Sequence, residues 1–318
     1  MRALVTGGAG FIGSSLARLL LAEGWQVRIF DNFVTGFERN LPPEADFIYG
    51  DLRKPEEVNA ACQDVDVVFH QGAIRSVPKS VDDPRLSNDA NITGTLNILE
   101  GSRLASVRRL VYASSSSVYG EMDETINREN DPPNPRSPYA VTKLAGEYYC
   151  RVWTALGRLS TVSLRYFNVF GPGQHPESKY AAVFPGFVTA LASGRPPEVH
   201  WDGQQSRDFT YVEDVARANL LAATAGDTVD GEVVNIGGGR PKTVMEVLAS
   251  VSAAMGTSID PVFFPKRPGD VRRTHADVSK ARVLLGWQPE TGWTEAVATT
   301  VQGLARAVAE KEVRAQIP

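Results

Sequence analysis

With 318 residues, 42% hydrophobic and 22% charged, the chain has an ordinary globular composition and the length for one large domain or two joined ones. Its net charge of -4, with acids and bases interspersed and no basic tract, argues against electrostatic binding of nucleic acid or lipid surfaces. Two cysteines, Cys62 and Cys150, are too few for a disulfide framework and read as core thiols, and four histidines without ligand spacing suggest no metal.

The chain opens with RALVT (2–6), a strand that starts at once and leaves no room for a signal peptide. The most apolar run, LARLLLA (16–22), is short and carries Arg18, so no bilayer span is expected and the expected location is cytoplasmic. Between the two, VTGGAGFIG (5–13) places Gly7, Gly10 and Gly13 three apart where the strand gives way to a helix over 13–23, with Phe11 and Ile12 inside the motif. Such glycines let the chain turn sharply and approach a pyrophosphate, while the helix N-terminus offers free N–H groups to phosphate. The second strand, QVRIF (26–30), runs into Asp31. A carboxylate there accepts from a ribose 2′-hydroxyl and repels a 2′-phosphate; Asn32 and Phe33 follow rather than arginine, which favours NAD over NADP.

The third strand, 46–50, ends before Asp51 and Leu52, where an adenine would lie; Asp51 can equally be read as a helix N-cap. Further strands are expected at 65–70, 108–114 and 160–167, and helices at 88–105 and 137–156. Asn91-Ile92-Thr93 matches a glycosylation sequon that is idle without secretion. Strand and helix alternating in this way give a parallel sheet covered on both faces: an α/β, Rossmann-type, doubly wound fold. After residue 170 the texture becomes rich in Pro, Gly and polar residues. The expected division is a dinucleotide-binding domain at 1–170 and a smaller, mixed α/β substrate lobe at 171–318, part of 204–239 returning to the sheet.

The fifth strand runs into ASSSSVYG (113–120), and SPYAVTK (137–143) then sets Tyr139 and Lys143 one helical turn apart. A phenol titrates near pH ~10, too high for a base at neutral pH. An ammonium one turn along, with a positive nicotinamide ring, favours the phenolate and lowers that value. A neighbouring serine hydroxyl can relay the proton to a substrate alcohol, so the pair reads as the base of a hydride-transfer site.

TGGAGFIG, ASSSSVYG, YAVTK and LRYFNVFGP, in this order, resemble the extended short-chain dehydrogenase/reductase family, and within it the nucleotide-sugar 4-epimerases acting on UDP-hexoses. The resemblance implies bound NAD and a catalytic Ser115, four residues before Tyr119, beside Tyr139 and Lys143. Ser116 and Ser117 stand where related 4,6-dehydratases carry Asp and Glu, which argues against water elimination. HQGAIRSV (70–77) is similar to the family's loop over the cofactor, so Gln71, Ala73 and Arg75 join Ser114 as cofactor contacts and Ser76 falls near the sugar. In the second lobe Asn168, Gln174, Ala182 and Val183 fall at sugar and uracil contacts, Arg207 and Arg267 at the diphosphate, and Asp270 at the uridine ribose. Two arginines suit a diphosphate because guanidinium pairs bidentately with its oxygens. Thr274, small where some relatives are bulky, leaves room for an N-acetyl group, whereas Arg75 keeps a uronate open. The implied reaction is redox-neutral epimerisation at C4 through a keto sugar. A ketoreductase or decarboxylase on the same scaffold, or a non-catalytic NAD-binding regulator, are the alternatives. In similar enzymes the helices at 88–105 and 137–156 pair two subunits, so the resemblance implies a homodimer.

Overall fold

The structure, a computed structural model, describes residues 1–121, 126–174, 183–267 and 270–315. Seven parallel strands form the central sheet: β1 (Arg2–Thr6), β2 (Gln26–Asp31), β3 (Asp46–Tyr49), β4 (Val67–His70), β5 (Arg109–Ser115), β6 (Ser160–Tyr166) and β7 (Val233–Ile236). Their order is β7-β6-β5-β4-β1-β2-β3. The order reverses between β1 and β4, and the crevice beyond the C-terminal ends of strands at such a point is where open α/β sheets bind ligands.

Alternation along the strands divides the core. Ala3 and Val5 of β1 face one side, with Val27, Ile29, Val162 and Leu164, against Leu16 and Leu20 of α1 (Phe11–Ala22). Leu4, Val68, Leu110 and Tyr112 face the other, against Val58 of α2 (Pro55–Ala61), Ile98 and Leu99 of α3 (Gly94–Leu104) and Cys150 of α4 (Pro138–Ala155). This is the period-two pattern of a sheet buried on both faces, each large aliphatic side chain contributing about 1.5–3 kcal/mol. Both cysteines are free and buried.

Boundaries depart from the sequence expectation where glycine or hydrogen bonding intervenes. Helix α1 starts at Phe11, because extended Gly10 supplies the turn and no side chain caps it. The helix expected at 88–105 is three pieces: Pro84–Asn88, a π-helical turn at Asp89–Thr93, and α3. Asp51 does not cap α2. Lys54 occupies that position ahead of Pro55, while Asp51 accepts from the Arg53 amide and pairs with its guanidinium at 2.5 Å.

Beyond residue 170 the chain both builds a second cluster and returns to the first. Helix α5 (Val183–Ala192) packs with α7 (Val244–Met255) and α8 (Trp293–Ala315) around Phe170, Phe184, Val247 and Trp293. Helix α6 (Val212–Thr224) instead lies against α1, and β7 pairs with β6. Among the described residues, three two-stranded pairs complete this part: Thr210–Tyr211 with Val169–Phe170, Lys242–Thr243 with Ser206–Arg207, and Val262–Phe264 with Glu198–His200. Among the described residues no helix is long and apolar enough to cross a membrane.

Candidate active site

A cleft of about 570 Å³ opens over the C-terminal ends of β1, β2, β4 and β5 and reaches Arg207, Asp270 and Thr274 of the later part of the chain. Its volume is typical of small-molecule sites, roughly 300–1,000 Å³. The glycine loop forms its floor. Gly7 has φ +68°, and a Cβ there would stand 2.7 Å from the Gly72 backbone. A Cβ on Gly13 would stand 2.2 Å from the Gly7 carbonyl oxygen, so only glycine lets α1 begin this close to β1. The uncapped N-terminus of α1 therefore faces the cleft with its first-turn N–H groups free.

Asp31, at the end of β2, accepts from the Ala9 amide at 3.0 Å and the Phe33 amide at 2.8 Å. These bonds aim its carboxylate along the cleft, and burial raises its pKa against their opposing effect. Asn32, Asp51 and Leu52 line the same end. Gln71 and Tyr166 sit over the switch point, where Gln71 Nε2 and the Tyr166 hydroxyl both donate to Asn219 Oδ1, at 3.0 and 2.9 Å. This cradle, narrowed to backbone by glycine and headed by a free helix N-terminus and a ribose-height carboxylate, fits NAD.

The catalytic candidates come from two elements. Ser137 caps α4, its Oγ accepting from the Ala140 amide at 3.1 Å, and Pro138 takes the first helical position. Tyr139 and Lys143 consequently lie on one face of the first two turns. Opposite, β5 ends in a 3-10 turn, Ser116–Tyr119, in which Ser115 Oγ accepts from the Ser117 amide at 3.2 Å. Gly120 ends the turn at φ +64°, where a Cβ would meet the Asn134 carbonyl at 2.0 Å. Lys143 Nζ donates to the Ala113 carbonyl at 2.7 Å and is buried, which lowers its pKa to about 8.

The phenol itself corrects one expectation. Burial dominates and raises the Tyr139 pKa; the influences that favour its phenolate are the Ser115 hydroxyl and the Arg75 charge, not Lys143. Arg75 is held there by a residue that the sequence marked only as an idle sequon. Asn91, in the π turn, is buried and grips the loop through Ile74 N to Oδ1 at 2.7 Å and Nδ2 to Ile74 O at 3.0 Å. A third bond, to Thr142 Oγ1 at 3.0 Å, ties the loop to α4.

Across the cleft, Thr274 Oγ1 faces Asn168 Oδ1 at 3.4 Å and accepts from the Asp208 amide at 3.2 Å. Arg207 points in, 3.7 Å from Asp270 Oδ1, and burial lowers its basicity. Asp208 is buried, accepts from the Gly239 and Ala276 amides, and is pushed up to about 6. It joins three loops behind Arg207. Ser117 Oγ and Gln174 Oε1 are buried oxygens without a partner among the described residues, and both residues line the cleft.

The cleft thus brings together Gly7, Gly10, Phe11, Ile12, Gly13, Asp31, Asn32, Asp51, Leu52, Gln71, Ala73, Arg75, Ser114, Ser115, Ser116, Ser117, Tyr139, Lys143, Asn168, Gln174, Arg207, Asp270 and Thr274. Three expected residues stand outside it. Ser76 caps the short helix Val77–Asp82 through the Lys79 amide. Val183 opens α5 and packs on the second cluster. Arg267 turns to His200, 2.7 Å from its Nε2. Ala182 lies outside the described residues. Tyr166, Asn219 and Asn91 carried no such expectation; Tyr166 alone had a signal, as part of LRYF.

Fold and cleft together define a dinucleotide enzyme with a Ser-Tyr-Lys centre facing a second, arginine-bearing wall. The chain belongs to the NAD-dependent epimerase/dehydratase family, whose pattern its residues 3–237 match, and is an enzyme of the UDP-sugar epimerase group within it. The UDP-glucose 4-epimerase of Mycolicibacterium smegmatis is 38% identical, over 95% of this chain and 98% of its own. The solved UDP-N-acetylglucosamine 4-epimerase of Methanobrevibacter ruminantium, in complex with UDP-N-acetylmuramic acid, superposes with a TM-score of 0.92 at 34% identity, over 96% and 98% of the two chains. The Thermus thermophilus UDP-glucose 4-epimerase, in complex with NAD, gives 0.89 at 39% identity over 96% and 99%. NAD is the cofactor.

Proposed function

We propose that the protein is a 4-epimerase of UDP-sugars, converting UDP-glucose and UDP-galactose and also their N-acetylhexosamine counterparts through a transient 4-keto sugar. The observation that carries this reading is the meeting of Tyr139, Ser115 and Lys143 at the point where the glycine-floored half of the cleft joins the half walled by Asn168, Arg207 and Thr274. Bound NAD supplies the acceptor and donor of hydrogen at C4. Tyr139 takes the O4 proton, directly or through Ser115, and returns it after the keto sugar has turned over. Asp31 would hold the adenosine ribose, and the N-terminus of α1 the pyrophosphate. Arg207 grips the UDP diphosphate, where it exchanges Asp270 for phosphate oxygens and frees that carboxylate for the uridine ribose. The unpartnered oxygens of Ser117 and Gln174 suit sugar or uracil hydrogen bonds, because buried polar atoms otherwise forfeit theirs. A firm hold on UDP with a loose hold on the hexose is what turnover of the ring requires.

Thr274, small and already tied to Asn168, leaves room for an acetamido group. A second reading, a UDP-uronate epimerase, draws on Arg75 and on Arg136, a further cation on the cleft wall beside the serine turn. Incubating the purified protein separately with UDP-glucose, UDP-N-acetylglucosamine and UDP-glucuronate, without added NAD, and following the anomeric protons by NMR decides among them. The expected result is conversion of the first two; uronate conversion alone favours the second reading, and no conversion of any removes both. We also read 1–170 as the cofactor domain and 171–318 as the nucleotide-sugar lobe. The uncovered apolar side chains Val141, Tyr148 and Val152 of α4 and Leu104 of α3 support a homodimer through these helices.

A further inference from the structure

Behind Lys143 lies a buried cluster that the proposed chemistry leaves unused. Glu147, one turn further along α4, is 2% exposed. Its Oε1 accepts from Arg165 Nε at 2.9 Å, and its Oε2 from Arg165 Nη2 at 2.8 Å. The Ser114 hydroxyl donates to Oε1 as well. The Arg165 guanidinium also stands 4.7 Å from the centre of the Tyr119 ring. The carboxylate therefore ties α4 to β6 and to the end of β5, one residue before Ser115. A buried ion pair is a weak source of stability, since desolvating both charges offsets their attraction. Its place beside a buried ammonium suggests another use.

We propose that Glu147 is a positioning residue: its carboxylate keeps Lys143 protonated within the core and, through Ser114, holds the end of β5 so that Ser115 faces Tyr139. This rests on the proposed epimerase reading, in which Lys143 belongs to the Ser-Tyr-Lys centre. The groups around Lys143 leave Glu147 as the anion. On α4 itself, burial raises the Tyr139 pKa, and Cys150 is a buried thiol pushed up to about 12. From β4, His70 is held neutral at about 3 by burial, between the hydroxyls of Thr6 and Thr95. From β5, Tyr112 is a buried phenol whose ring centre lies 5.0 Å from Lys143 Nζ. Arg165 on β6 and Arg75 on the loop after β4 are cations. Burial disfavours the charge on Lys143, and the Glu147 charge opposes that loss. Without it, Lys143 would be neutral over part of the working pH range.

The test is Glu147→Gln, read in two ways. With lysine labelled at Cε and the Lys143 signal assigned through Lys143→Met, NMR titration of the protein as purified reports the Lys143 midpoint without reference to any substrate. The midpoint is expected to fall by about one pH unit or more in Glu147→Gln and to stay near wild type in Glu147→Asp, which keeps the charge. The alkaline limb of kcat against pH should move to lower pH by the same amount, with KM for the UDP-sugar little changed. A purely structural role would lower kcat at every pH and leave both midpoints in place, and that result overturns the proposal. If Glu147→Gln does not fold, Glu147→Gln with Arg165→Met removes the uncompensated cation too, and a smaller fall in the same direction is expected, because the like charge of Arg165 is lost with the anion. Wild type inactive on every UDP-sugar would remove the epimerase reading, while the NMR midpoint would still judge Glu147.

Discussion

The two walls of the cleft are built by different means. The cofactor wall is local: the glycine loop, Asp31 and the Tyr139–Lys143 turn each come from one short stretch of chain, and hydrogen bonds within the protein hold their groups. The Ala9 and Phe33 amides aim Asp31, and the Ala113 carbonyl holds Lys143. The substrate wall is assembled from loops far apart in the chain. Asn168 and the Asp208 amide each meet Thr274 through a single hydrogen bond, and Arg207 is paired with Asp270 at only 3.7 Å. In the proposed reaction the dinucleotide stays bound, which suits a firmly held wall, and the sugar turns over within the site, which suits a wall whose strong contacts are confined to the diphosphate.

That contrast can be broken at several points. The largest effect should come from the chemical centre: Tyr139→Phe removes the proposed base and should lower kcat by about 10²–10⁴-fold, with near-native circular dichroism and retained NAD. Next is the cofactor wall. Gly13→Ala drives a methyl group into the Gly7 carbonyl, so the protein should purify with most of its NAD lost, as measured by nucleotide release and absorbance. On the substrate wall, Arg207→Ala should raise KM for UDP-sugars by about ten- to a hundred-fold with little change in kcat, the signature of binding shared by ground and transition states. An equal loss in kcat would mean that this wall also acts on the reacting carbon. The smallest effect concerns Arg75. Its cation favours the Tyr139 phenolate, so Arg75→Ala should raise the phenol's pKa and move the acid limb of kcat to higher pH by about half a unit to one unit. A shift in the opposite direction would remove Arg75 from the phenol's surroundings.

Much of the cofactor wall was legible in the residues themselves. Strand boundaries fell within one or two positions because β-branched runs ending in glycine or aspartate leave few alternatives. The glycine spacing, Asp31 and the Tyr139–Lys143 pair could be read because each acts through neighbours in the chain. The substrate wall was legible only by resemblance, and there Ser76, Val183 and Arg267 depart from it: a short-helix cap, a packing position and a histidine each took a side chain out of the cleft. No periodicity announces Asn91, whose buried amide holds the Arg75 loop from seventeen residues away.

By itself, then, the order of residues determined the family and its cofactor: a glycine turn ahead of a helix, a carboxylate ending β2 and a phenol one helical turn from an amine are local arrangements made by backbone geometry. What only the tertiary structure decided is the electrical setting of that phenol. Burial sets its pKa against the Arg75 charge and the Ser115 hydroxyl, and the Glu147 carboxylate behind the site is held by Ser114 of β5 and Arg165 of β6. Desolvation and through-space charge depend on what folds over a group, and no spacing along the chain records that.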